Sequence, residues 1–149
     1  MEYRQEFLAD VKQDIQDLLV LNYTEVELDQ DIIKLNPDWD AYQQAENNNI
    51  LKGFTARKKG KLIGYFVAMV VKHIHYKDHI FAGNDVLFIH PEHRKGFTAM
   101  KLIKFAEKCL KEDGVSVLTI NTKCNKPFDV LLNRMMYKQI ENVYRKRLN

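Results

Sequence analysis

The fold turns on one stretch: Asp85-Val86-Leu87-Phe88-Ile89-His90-Pro91-Glu92-His93-Arg94-Lys95-Gly96-Phe97-Thr98-Ala99. Within a strand running Phe81–His90, the unbroken apolar run Val86–Ile89 predicts burial on both faces. Pro91 stops that strand. Beyond the polar segment Glu92–Phe97, apolar residues recur at Ala99, Leu102, Ile103, Ala106, Cys109 and Leu110, which is helical spacing. Gly114, preceded by Lys108 and Lys111, reads as the helix C-terminus. Val115–Asn121 then predicts a short strand. Strand, helix and strand joined by tight links make a right-handed crossover with parallel neighbours.

The turn inside this stretch carries the chemistry. A first helical turn leaves backbone N–H groups without partners, and the helix dipole adds positive potential there. Such an end holds phosphate well. Gly96 lets the chain approach a ligand with no Cβ in the way. Arg94 and Lys95 bring cationic charge to the same point, and the Thr98 hydroxyl offers one more donor. An ordinary strand-to-helix turn with solvent-facing basic residues has the same spacing, so both readings stand.

Working outward, Leu62–Ile74 is a long strand rich in β-branched and aromatic residues, with Tyr76–His79 turning the chain into the strand that follows. Lys58–Lys61 closes a hairpin with an earlier alternating strand, Ile50–Arg57. Three strands in a row predict an antiparallel meander. Ahead of it, Phe7–Leu21 has the spacing of an amphipathic helix, Leu28–Leu35 is a weaker helical piece, and Trp39–Glu46 a short helix after the Asn36-Pro37-Asp38 turn. At the other end, Pro127 opens a helix over Phe128–Met135, and Tyr137–Tyr144 is expected as the closing strand. The predicted fold is one α/β domain over residues 1–149, a mixed and mostly antiparallel sheet with helices on both faces.

Composition bounds the function. The chain has 149 residues, 46% hydrophobic and 29% charged, with six Gly and three Pro. That is enough for a core without metal or disulfide staples. No apolar stretch is long enough for a membrane span, and the charged start MEYRQEFLADVKQD lacks the apolar centre of a secretory signal. Two cysteines, Cys109 and Cys124, make no disulfide framework, so a cytoplasmic setting is expected. The net charge of +3 is spread thinly. The basic clusters Arg57–Lys61 and Arg145–Arg147 read as solvated surface charge, and no nucleic-acid partner is expected.

The run Leu87–Gly96 resembles the acyl-CoA-binding motif of the GNAT N-acetyltransferases, in which a strand ending before a Pro leads into a Gln/Arg-x-x-Gly-x-Gly/Ala loop opening a long helix. The resemblance extends in element order over roughly residues 50–145, with a looser match at Met135-Met136-Tyr137, and its sharp identity lies in 85–99. The N-terminal helices and the His73–Tyr76 segment also resemble small phage-borne members. Two departures stand out. His93 occupies the usual Gln/Arg position, with Arg94 as its substitute, and Thr98 stands where Gly or Ala is expected. The family's frequent tyrosine acid falls near Leu132, which has no proton to give.

The resemblance implies a GNAT fold and acetyl-CoA as cosubstrate. It implies backbone groups of Phe88, Ile89 and His90 along pantetheine, and His93, Arg94, Lys95, Gly96, Phe97, Thr98 and Ala99 around the pyrophosphate. An amine would attack the thioester carbonyl directly, after losing a proton to a base or a water chain. Asp85 is one candidate base, with a polar strand end as its alternative. His75 is a second, paired with His73 on one strand face. Tyr137, like Tyr144, is a candidate proton donor to the thiolate or else sheet packing. Glu25, Glu27, Trp39 and Tyr42 either line the amine site or belong to helix surface and sheet cover.

Competing functions are a GNAT-fold binding protein acting through a macromolecular partner, and a metal site built from His73, His75, His79, His90 and His93. No carboxylate or cysteine is expected at metal spacing, so no metal is predicted. The acceptor is unspecified, and a homodimer is left open.

Overall fold

A computed structural model describes all 149 residues. In chain order the elements are β1 (Glu2–Gln5), α1 (Lys12–Val26), α2 (Trp39–Asn47), β2 (Leu51–Lys58), β3 (Lys61–His73), β4 (Tyr76–Ile89), a 3-10 turn Pro91–His93, α3 (Thr98–Glu112), β5 (Val115–Thr119) and α4 (Asp129–Arg134). The five strands form one sheet in sequence order. β1 to β4 are antiparallel neighbours, and β4 and β5 pair in parallel across the α3 crossover. The predicted mixed, mostly antiparallel sheet is the one observed.

Alternation along the strands gives the sheet two apolar faces. On one, α3 buries Leu102, Ala106 and Leu110 against Phe54, Ile63, Phe66, Ala82 and Ile89. On the other, Ile15, Leu18 and Leu19 of α1 pack against Leu62, Tyr65, Val67 and Phe88, with Trp39 and Tyr42 of α2 at the margin. Leu102 and Leu110 are fully buried, and truncating either to Ala would cost about 2–5 kcal/mol. No helix is long and apolar enough to cross a membrane.

Several local expectations need correction. α1 starts at Lys12, five residues later than the apolar spacing suggested. Buried Glu46 accepts from the Leu8 N–H at 2.5 Å and the Ala9 N–H at 3.3 Å, which holds that segment in turns. The residues before it form β1, pairing Glu2–Gln5 with Phe54–Arg57. No helix covers Leu28–Leu35. There the Lys34 ammonium donates to Gln30 O at 2.6 Å, taking a carbonyl that a helix would use, while the Gln30 amide donates back to Thr24 O and Glu27 O. Tyr76–His79 is strand, and the reversal falls between His73 and Tyr76.

The expected strand Tyr137–Tyr144 is absent. Three of its apolar residues, Tyr137, Ile140 and Val143, repeat every three positions, and a strand face needs a repeat of two. Arg145 instead pairs with Glu27 and Asp29, and Arg147 with Asp31. Nor is Arg57 solvated. Its side chain is 7% exposed and bonds Glu6, Asp14 and the Gly60 carbonyl, tying β1 and α1 to the β2–β3 hairpin.

Candidate active site

The site grows from a defect in β4. On β3, Val67 faces Val86 and Ala68 faces Asn84, which leaves Asp85 as the extra residue of a β-bulge. A bulge bends its strand and shifts the face alternation by one. Ala82, before the bulge, accordingly lies on the α3 face, whereas Val86 and Phe88, after it, lie on the α1 face. Asp85 itself is exposed at the break.

The same place is where β4 loses β5. Their parallel register ends at Gly83 opposite Thr119. One residue on, the Asn84 side chain bridges the widening gap, its Oδ1 accepting from Asn121 N at 2.6 Å. Beyond Asn84 the strand is paired on the β3 side alone. His90 donates its N–H to Ile63 O at 2.8 Å on β3. By the alternation of strand hydrogen bonds, the main-chain groups of Leu87 and Ile89 therefore point the other way, into the gap. Phe88 and His90, expected to face a ligand there, spend theirs on β3, and Leu87 is a gap-facing residue that the sequence did not single out. A close strand approach fixes this arrangement from behind. A Cβ on Gly64 would fall 2.4 Å from Ile89 Cδ1 and 2.9 Å from Phe88 O.

At the end of β4 the chain makes the Pro91–His93 turn, passes Gly96 at φ +87° and enters α3. That φ lies in the left-handed region that glycine adopts without penalty. No side chain caps α3, whose first main-chain bond is Lys101 N–H to Phe97 O. The amides of Thr98, Ala99 and Met100 consequently have no acceptor in the chain. Together with the exposed Lys95, they make an end of positive potential. Thr98 is buried, 8% exposed, beneath them.

Arg94 does not join this group. Its Nε donates to Ile89 O at 2.8 Å, its Nη2 grips both oxygens of Glu25 at 2.8 and 3.0 Å, and its guanidinium lies 5.1 Å from the centre of the Phe88 ring. The expected phosphate cation is thus a strap between the end of β4 and the end of α1. From the β5 side, Asn125 donates to Glu25 O at 3.1 Å and completes the bridge across the gap.

Facing Asp85 from the α1 side are two phenols. Burial first, and then the charge of Asp85, push the Tyr42 phenol above its ordinary range. Tyr65, with no exposed surface, is pushed up by burial, then by Tyr42 and Asp85. Its hydroxyl has no hydrogen-bond partner, with Asn22 close by but out of bonding geometry. Trp39 and Tyr42, 5.1 Å apart, cover this corner. Tyr65 was missed because a tyrosine inside Ile63–Val67 carries no sequence mark that separates it from core.

Two expected site residues lie elsewhere. His75 is at the β3–β4 reversal, where its N–H bonds His73 Nδ1 at 3.2 Å. At about 3.3 Å per residue, the strand carries it on the order of 30 Å from Asp85. Tyr137 sits against α3, its hydroxyl donating to Glu107 Oε1 at 2.7 Å. Leu132 on α4 is buried, so the position of the usual acid is packing.

No family model matches the chain, and no curated protein matches it. Solved structures do match, along nearly its whole length. A ribosomal-protein-alanine N-acetyltransferase from Brucella melitensis is 16% identical with a TM-score of 0.73, covering 99% of this chain and 100% of its own. A predicted acetyltransferase from Clostridium acetobutylicum, solved with acetyl-CoA, is 13% identical with a TM-score of 0.69, covering 98% and 95%. This chain has the GNAT fold. A transcriptional regulator from Bacillus halodurans, 12% identical, superposes with a TM-score of 0.77 over 99% of both chains. The GNAT fold thus carries more than one described role among these structures, and none of the three supports the likeness to phage-borne members.

Proposed function

We propose that this chain is an N-acetyltransferase that moves the acetyl group of acetyl-CoA to an amine of a small molecule or protein. The observation that carries the reading is the bulge at Asp85 beside a β4 edge with no partner, leading to the uncapped α3 amides. An extended thioester arm fits the edge, taking hydrogen bonds from Leu87 and Ile89, and its diphosphate fits the amides of Phe97–Met100 with Lys95 alongside. Bound acetyl-CoA in the Clostridium structure is consistent with this. Two free thiols, Cys109 half-buried and Cys124 exposed, suit the reducing cytoplasm.

In this reading Asp85 takes a proton from the acceptor ammonium, directly or through a water, since only the free amine is nucleophilic. The amine nitrogen bonds to the thioester carbon while an N–H of the β4 edge holds the developing oxyanion. The C–S bond then breaks, and its electron pair leaves on sulfur. A thiol has a pKa of about 8.5, so thiolate departs near neutral pH without the acid that Leu132 fails to supply, and the second proton of the nitrogen, lost as the amide forms, reaches the thiolate through water.

Calorimetry with acetyl-CoA, CoA and ATP tests the cofactor claim. CoA and acetyl-CoA should bind at least tenfold more tightly than ATP, and Lys95→Ala should weaken both. Equal and negligible heats for all three remove the claim. A second reading, a GNAT-fold binding protein, draws on buried Leu132 at the acid position and on Arg94 holding Ile89 O. CoA binding with no thiol released across an amine panel selects that reading.

A further inference from the structure

The turn that follows β4 has a second face. His90, Glu92 and His93 place one donor atom each, a ring nitrogen from either histidine and a carboxylate oxygen, all within 4.8 Å of one another. The main chain enforces this. Pro91 starts a 3-10 turn, His93 N–H bonds His90 O at 2.8 Å, and the two imidazoles come to 5.8 Å between ring centres. Both rings are half-buried and Glu92 is exposed, so the carboxylate is free to swing.

These residues line a groove of about 320 Å³ with the α1 residues Gln13, Asp14 and Asp17 and the hairpin residues Gly60–Ile63. Asp14 is committed to Arg57. Asp17 and Lys61, on the same groove, have no ion pair, so the wall opposite the three donors carries one free charge of each sign. The groove lies on the α1 side of the sheet, whereas the uncapped amides belong to α3, which packs on the opposite side. The turn therefore presents donors for a cation on one side and donors for an anion on the other.

We propose that His90, Glu92 and His93 form a binding site for a divalent transition-metal ion of the zinc class. The donor set decides the class. Two imidazoles and one carboxylate suit Zn²⁺, Co²⁺ or Ni²⁺, whereas Mg²⁺ and Ca²⁺ select oxygen. At metal–ligand lengths of about 2.0–2.2 Å, tetrahedral ligand atoms stand roughly 3.4 Å apart, so the three donors need close by only on the order of 1 Å. His90 Nδ1 now accepts a long 3.3 Å bond from Glu92 N–H, which coordination would exchange at little cost. A fourth position opens to the groove and Asp17. Glu92 supplies the carboxylate that the sequence had not placed at metal spacing. Of the alternative histidines, His73 and His75 bring their ring centres equally close, 5.8 Å, but no third donor joins them. His73 Nδ1 accepts from His75 N–H, and His79 Nδ1 is bonded to Ser116 Oγ at 3.0 Å. The site does not depend on acetyl transfer.

The test uses untagged full-length protein stripped of metal, titrated with ZnCl₂ by calorimetry and with CoCl₂ by visible absorption. One Zn²⁺ per chain is expected, with Co²⁺ ligand-field bands and no heat from Mg²⁺ or Ca²⁺. His93→Gln and Glu92→Gln should each weaken Zn²⁺ by about tenfold or more, with folding checked by circular dichroism, while His73→Gln leaves it unchanged. No Zn²⁺ uptake, uptake that both loop variants retain, or uptake that His73→Gln abolishes would overturn the site.

Discussion

From Ile80 to Gly83, β4 runs between strands on both sides, β3 and β5. Past Asn84 it keeps only β3, and the residue at the change is the bulged Asp85. Both ends carry histidines and aromatics. At the far end His73 lies 4.6 Å from Tyr76 and 4.7 Å from Phe81, a cluster of tilted rings over paired backbone. At the near end the aromatic Phe88 is buried, and what stays unpaired is the β4 edge away from β3 and the first amides of α3. A strand edge with free hydrogen-bonding groups can take a ligand, and a packed ring on a satisfied sheet has little to offer one. The same residue types do different work because one end has a neighbouring strand and the other has a gap.

The largest effect should come from Asp85. If the near end is catalytic, Asp85→Asn lowers kcat by about 10²–10⁴-fold, the range of a lost general base, while calorimetric affinity for CoA stays within twofold. An unchanged kcat would reduce the near end to a binding edge. Gly64 comes next. Gly64→Val places carbon against Phe88 O and Ile89, and such overpacking should cost about 1–3 kcal/mol in urea unfolding. It should also weaken CoA binding, since the strand end must move. Loss of stability with full CoA affinity would show that the position of β4 there is not what binds.

A third expectation concerns a tyrosine placed at neither end. The Tyr137 phenol is pushed far up by burial and by the Glu107 carboxylate it bonds. Because its folded pKa lies above the unfolded value of 10.0, the stability it supplies is full below that pH. That stability is lost as the pH rises above it, where the unfolded chain ionises first. Tyr137→Phe should cost about 1 kcal/mol at pH 7 and flatten the alkaline limb of the stability curve. A steep drop in kcat with no change in stability would instead return Tyr137 to the chemistry.

Much of this architecture is legible in local pattern. Val86–Ile89 announced a buried strand, Ala99–Leu110 a helix and Lys58–Lys61 a hairpin, because each is fixed by neighbours in sequence. The bulge at Asp85 is not, since it depends on register against Val67 and Ala68, and alternation within β4 alone does not show it. Arg94 misled for a similar reason. Its position in the motif is local, but its direction is set by Glu25, 69 residues away. Arg57 looked solvated until β1, itself unforeseen, brought Glu6 beside it. His75 and Asp85 looked like alternatives in one site because sequence distance hides the length of an extended strand.

The smallest effect tests that last point. His75→Ala removes an exposed ring at the reversal, whose N–H would still reach His73. A surface change of this kind falls within about 0.5 kcal/mol, and kcat, KM and CoA affinity should match the parent chain. The control is informative because His75 and its neighbours have the composition of a base and the wrong address. If His75→Ala cut kcat tenfold while Asp85→Asn did nothing, catalysis would belong to the paired end of β4. The gap beyond Asn84 would then be an unpaired edge without chemistry.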